Sequence, residues 1–169
     1  MYRIFDDVFH VADRDYMYNF VKNSLYKVGW ADRDEAIPAL HRNLYSDYSE
    51  EDLSNMKFME TIQSETLIEL IDGRKPERVV VNLSQPGNVY YQHSHYGEES
   101  LVYYANIRWL HEWAGETIIY KEDGEEVETA ITMKPGRVLW LGEGIPHSLR
   151  PPSLVCPDLR FTLAMFFKK

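Results

Sequence analysis

The sequence predicts a mainly β fold supported by N-terminal helices, and three observations carry that expectation. Helical periodicity is confined to the first part of the chain, short β-branched and aromatic runs fill the remainder from Arg78 onward, and turn residues separate those runs at close intervals. The elements follow in order. Asp13 is placed to cap a first helix whose face Tyr16, Met17, Phe20, Val21, Ser24 and Val28 recurs at spacings of three and four, with Gly29 as its stop. Ser49-Glu50-Glu51-Asp52 has the pattern of a capping box ahead of Leu53, Met56, Met59 and Ile62, and a further helical turn is expected over 66–71. Between the two helices, residues 30–48 carry mixed charges and a proline without a period, and read as a loop or a short irregular strand. Eight strands are expected at 78–84, 89–95, 101–106, 117–120, 127–132, 137–141, 147–150 and 159–167. Gln85-Pro86-Gly87-Asn88, Lys121-Glu122-Asp123-Gly124 and Lys134-Pro135-Gly136 supply turns between them. Such a density of short strands fits a β-sandwich or jelly roll better than a parallel α/β sheet.

Length and composition narrow the class of molecule. A chain of 169 residues is long enough to bury one core and short for two, so 1–169 is read as a single domain with 1–76 as helical support and 77–169 as the β core. A 44% hydrophobic content with twelve tyrosines excludes a disordered chain. Cys156 is the only cysteine, so the sequence offers neither an internal disulfide nor a cysteine-based zinc site. No apolar run reaches the roughly 20 residues that span a bilayer, and the start lacks the basic and apolar regions of a signal peptide. A cytoplasmic protein without membrane partners is the expectation. The net charge of -9 opposes broad binding to phosphate backbones, so nucleic acid is not expected as a partner. The sequence leaves the oligomeric state open.

Candidate functional residues lie in the second half. On an extended strand, residues two apart share a face, so His93 and His95 can look into one interior together with Tyr91. His147 can join them from a distant strand, because Pro146 follows a turn that Gly142 and Gly144 allow. Imidazoles with open positions opposite them suit iron. Arg160 opens an apolar strand, where an unpaired charge would be costly, so it requires an anionic partner, either a ligand or Glu116. Its planar fork can hold a carboxylate with two parallel hydrogen bonds.

Taken in order, these landmarks resemble the iron(II)- and 2-oxoglutarate-dependent oxygenases of the prolyl-4-hydroxylase-like branch. Tyr90-Tyr91-Gln92-His93-Ser94-His95 resembles the metal-binding strand, and Leu101-Val102-Tyr103-Tyr104-Ala105-Asn106 the strand after it. Ala114-Gly115-Glu116-Thr117 resembles a Gly-Gly-Glu-Thr turn, Pro135 to Leu141 with Pro146-His147 the strand and turn bearing the distal ligand, and Arg160 to Phe167 the closing strand. The resemblance implies a double-stranded β-helix, a jelly-roll or cupin-like barrel. It also implies an Fe(II) held by His93, His95 and His147, and 2-oxoglutarate as cosubstrate with Arg160 on its far carboxylate and Tyr104 and Tyr91 nearby. The activity implied is O2-dependent hydroxylation of a C–H bond in a peptide or small-molecule substrate, releasing succinate and CO2.

The chain departs from that pattern at His95, where the family carries an acid. Three arrangements stay open at this point: a face of His93, His95 and His147; His93 and His147 with Glu98 or Glu99 folding back; or two histidines beside a vacancy, as in a register that puts Gly97 at the acid position. Two other functions are compatible with the residues. One is a non-catalytic β-helix binding module that has lost its acid, and the other is a three-histidine cupin-type dioxygenase that does not use 2-oxoglutarate. His10, His41 and His111 are read as surface or capping residues, and 122–128 as a solvated hairpin.

Overall fold

The computed structural model describes residues 1–30, 32, 43–49, 52 and 57–169. Among these residues ten strands form two antiparallel sheets: β1 (Tyr2–Phe5), β2 (Lys27–Trp30), β3 (Asn43–Tyr48), β4 (Arg78–Ser84), β5 (Glu98–Tyr104), β6 (Thr117–Tyr120), β7 (Val127–Ile131), β8 (Val138–Leu141), β9 (His147–Leu149) and β10 (Arg160–Lys168). A seven-stranded sheet runs in the order β1-β8-β5-β10-β4-β3-β2, and a three-stranded sheet in the order β7-β6-β9. Helix α1 (Val11–Lys22) and helix α2 (Glu65–Ile71) belong to the N-terminal part. This is the expected mainly β architecture with N-terminal helices. No helix among the described residues is long and apolar enough to cross a membrane.

Strand β10 organises the interior. Phe161, Leu163, Met165 and Phe167 face the main core with Met17 and Val21 of α1, whereas Arg160, Thr162, Ala164 and Phe166 line a cavity between the sheets. The split follows from the period-2 geometry of a strand. Both faces are buried, which explains why the sequence reads there as an almost unbroken apolar run.

Several elements differ from the sequence expectation, each for a local reason. Helix α1 starts one turn earlier than Asp13, from His10, and ends at Lys22, where the Asn23 amide takes the Asn19 and Phe20 carbonyls. Val28 and Gly29 therefore fall in β2, where a bulge between Val28 and Trp30 uses the +138° φ of Gly29. The first 76 residues also contribute β1, β2 and β3, short strands that extend both edges of the larger sheet. Ser49 and Asp52 do exchange the reciprocal bonds of a capping box, at 2.9 Å and 3.3 Å. The helix expected beyond them falls largely outside the described residues, and its described end, Lys57–Thr61, is a 3-10 helix. The segment 89–95 is not a strand; its one ladder contact among the described residues is a single bridge at His93. The acidic 122–128 stretch is the expected exposed hairpin between β6 and β7.

Leu163 is fully buried in the core under α1. Leu163→Ala is expected to lower the unfolding free energy by about 2–5 kcal/mol, read from the urea midpoint at unchanged slope.

Candidate metal centre and anion site

His93 and His147 exchange both of their backbone N–H···O=C bonds, each at 2.9 Å, as an isolated antiparallel bridge. Residues directly opposite in such a pair project to the same side, which brings the two rings to 4.4 Å between centroids. His95 lies two residues on and returns to that side, with its ring 5.0 Å from His93 and 5.3 Å from His147. Its carbonyl is held at 2.8 Å by the amide of Gly144, whose φ of +73° turns the chain between β8 and β9. One potential ligand atom from each of the three histidines lies within 4.8 Å of the others.

The hydrogen bonds fix which nitrogens face the cluster. His93 Nδ1 lies 3.1 Å from the Tyr91 carbonyl and His147 Nδ1 lies 2.8 Å from the Ile145 carbonyl. A carbonyl oxygen only accepts, so both Nδ1 atoms carry a proton and Nε2 is the nitrogen each ring can offer to a metal. Burial, followed by the proximity of His93, His147 and Arg78, pushes His95 down to about 3. Burial, followed by His93, pushes His147 down to about 4. Both are therefore neutral at pH 7, the state in which imidazole binds a metal.

The two glutamates that the sequence left as possible ligands are engaged elsewhere. Glu98 accepts a hydrogen bond from Arg78 at 3.0 Å, and Glu99 one from Arg74 at 2.8 Å. Arg78 in turn stacks on Phe166 at 3.9 Å, and His95 packs edge-on against the same ring at 5.0 Å. Gly97, the acid position in the shifted register, is drawn instead to Glu143, whose carboxylate takes its amide at 2.9 Å. Among the described residues the metal-capable group is His93, His95 and His147.

The same cavity reaches Arg160. This side chain is fully buried; Nε donates to the Gly115 carbonyl at 2.8 Å and the guanidinium lies 5.2 Å from the Tyr104 ring centroid. A Cβ at position 115 would come within 3.1 Å of both Arg160 Cδ and Trp109 Cζ2, and φ there is +87°, so the turn before β6 requires glycine to admit the arginine. Among the described residues Nη1 and Nη2 have no hydrogen-bond partner, and Glu116, the alternative partner from sequence, makes no ion pair with them. Two donors on a buried cation without a partner among the described residues fit a carboxylate ligand, as three inward imidazoles fit a divalent metal that favours nitrogen.

The tyrosines are distributed differently from expectation. Tyr104 is fully buried behind the cavity wall, where its hydroxyl donates to Thr117 Oγ1 at 2.7 Å, and it is Thr117 that lines the cavity. Tyr91 does not line the cavity; its amide donates to Asp32 Oδ2 at 2.7 Å. Tyr90 lines it instead, with its hydroxyl buried beside Ser84 and Arg160. The reason is that residues 89–95 lack continuous strand geometry, so alternation counted back from His93 fails. Sequence reasoning also missed Asn82, Ser84 and Thr162. A signal was present in polar residues at alternate positions of the otherwise apolar β4 and in the single threonine of β10.

No family model and no curated protein matches this chain. Solved structures do. A prolyl hydroxylase from Trichoplax adhaerens, in complex with a hypoxia inducible factor oxygen degradation domain peptide fragment, is 14% identical with a TM-score of 0.71, covering 99% of this chain and 83% of that one. A Pseudomonas putida prolyl-4-hydroxylase is 15% identical with a TM-score of 0.68, covering 99% and 92%. An oxidoreductase of the 2OG-Fe(II) oxygenase family from Burkholderia pseudomallei is 11% identical with a TM-score of 0.72, covering 99% and 84%. The chain thus has the double-stranded β-helix fold of prolyl hydroxylases and other 2OG-Fe(II) oxygenases.

Proposed function

We propose that this protein is an Fe(II)- and 2-oxoglutarate-dependent dioxygenase that hydroxylates a C–H bond of a peptidyl or small-molecule substrate. The observation that carries the reading is the joint presence, in one cavity between the sheets, of three clustered histidines and a buried arginine with two unpaired donors. His93, His95 and His147 would hold the metal, each through a ring already neutral or fixed in tautomer by its surroundings. Arg160 would take the far carboxylate of 2-oxoglutarate, oriented by its bond to Gly115 and its packing on Tyr104. Val102, Ala164, Phe166 and Leu149 give the cavity apolar walls that limit water. When bound, the iron and cosubstrate supply the oxidation, in which R–H, 2-oxoglutarate and O2 give R–OH, succinate and CO2.

One observation favours a second reading. A face of three histidines without a carboxylate is what a cupin-type dioxygenase independent of 2-oxoglutarate would use, whereas the unpaired Arg160 favours the first. Calorimetric titration with Fe(II) or Mn(II), with and without 2-oxoglutarate, separates them: mutual tightening supports the first and indifference to 2-oxoglutarate the second. Binding of neither would support a non-catalytic module.

Three outcomes are expected. His93→Ala and His147→Ala should each lose most bound metal in elemental analysis while keeping the native circular dichroism spectrum; full metal content in both would overturn the assignment. Arg160→Ala should weaken 2-oxoglutarate binding about ten- to hundredfold while leaving metal binding nearly unchanged, the effect of losing a charge-assisted bidentate contact. His95→Asp should retain metal and form succinate from 2-oxoglutarate at least as fast as the parent, whereas His95→Ala should bind metal weakly.

A further inference from the structure

His93 and His147 each have a hydrogen bond that sets the ring, from Nδ1 to the Tyr91 carbonyl and from Nδ1 to the Ile145 carbonyl. Among the described residues the His95 side chain has none. The torsion that turns an imidazole about its stem has broad minima, so a ring without such a bond needs another contact to aim its nitrogen. That contact is Phe166. The two rings meet edge to face, 5.0 Å between centroids and 73° between planes, an arrangement in which the positive rim of one ring lies against the negative face of the other.

Phe166 is itself held. It is buried in a small cluster with Val80 and Ala164, and Arg78 is its direct partner in the β4/β10 register. The Arg78 guanidinium lies 3.9 Å from the Phe166 centroid, within the range of cation–π attraction, and its Nη2 donates to Glu98 Oε2 at 3.0 Å. A row of contacts therefore runs from a partly exposed ion pair through Phe166 to His95. The neighbouring pair Arg74 and Glu99 lies over Trp140 and Phe167, rings of the main core that meet one another and, among the described residues, no histidine. A stacked arginine is structural there; the ring beneath Arg78 is what sets it apart.

We propose that Phe166, fixed in place by Arg78 and Glu98, is the positioning residue for His95 and thereby sets the affinity of the three-histidine face for a divalent metal. This role rests on the metal-binding part of the reading above and extends it to residues that ligate nothing. Ring packing does for His95 what backbone carbonyls do for His93 and His147. Glu98 then serves the site by holding Arg78 instead of by binding the ion.

The test compares two variants of the full chain. Phe166→Leu keeps an apolar side chain and removes the ring face, and Arg78→Gln with Glu98→Gln removes the stack without releasing a carboxylate. Arg74→Gln with Glu99→Gln is the control. Heteronuclear NMR of the imidazole rings is recorded without metal, and Mn(II) affinity is measured by calorimetry. The His95 ring signals should shift and broaden in both test variants while those of His93 and His147 stay as in the parent. Mn(II) affinity should fall about tenfold in Phe166→Leu, the scale of losing a group that orients a metal-binding imidazole, and less in the Arg78/Glu98 variant, which keeps the ring. The control should match the parent in both readouts even if it melts lower. In a His95→Ala background, Phe166→Leu should change Mn(II) affinity by less than about twofold, because the ligand it aims is gone. Movement of all three rings together, an equal loss of affinity in the control, or an unmoved His95 ring in both test variants would overturn the proposal. If Phe166→Leu fails to fold, the Arg78/Glu98 variant decides alone. Failure of the wider reading looks different: the parent would bind no Mn(II), yet the His95 ring would still shift by itself in the metal-free variants.

Discussion

Eight of the nine residues of β10 are buried, and the strand has to satisfy two interiors at once. Its odd-numbered side chains from Phe161 to Phe167 close the core under α1, and its even-numbered ones from Arg160 to Phe166 floor the cavity. A slip of one residue against β4 and β5 would drive Arg160 into the apolar core and Phe161 into the cavity. The alternation that holds the core together therefore also sets where the buried cation sits. Because β10 pairs with β4 and β5 at the middle of the seven-stranded sheet, few small adjustments of its position are open to it.

The histidines depend on a different and smaller device. One bridged pair, His93 with His147, ties an irregular segment to the three-stranded sheet, and the turn at Gly144 holds the His95 carbonyl beside it. Three imidazoles, the Arg160 guanidinium and Asp32 line the cavity, while Glu98 and Glu99 are tied to Arg78 and Arg74. A divalent ion on such a face would receive no negative charge from its three protein ligands, so an anionic cosubstrate would supply the compensation that an acidic side chain provides in a His/His/carboxylate site. On that physics, metal and anion binding should reinforce one another more strongly here than at a site with its own carboxylate.

Much of this was legible in the sequence where local pattern and burial agree. The bounds of β4 at Arg78 and Ser84, and of β6 at Thr117 and Tyr120, coincide with the alternating runs read there, and the three histidines and Arg160 meet in one cavity. Legibility failed where pairing rather than propensity decides. β1, β2 and β3 are short and carry little pattern of their own; their hydrogen bonds to an existing sheet edge make them strands. Tyr91 was expected in the cavity by counting in twos from His93, but the segment lacks strand geometry and presents Tyr90 instead. Glu98 and Glu99 looked available because Arg78 and Arg74, some 20 and 25 residues earlier, become their partners only once β5 lies in the folded sheet.

The central claim is that a metal is held by three imidazoles with no protein carboxylate, and X-ray absorption of the Fe(II)-loaded chain reads it directly. Outer-shell scattering from imidazole rings should count three histidines in the parent and two in His95→Ala. Two or fewer rings in the parent, a spectrum unchanged by His95→Ala, or no bound iron to measure would contradict the account.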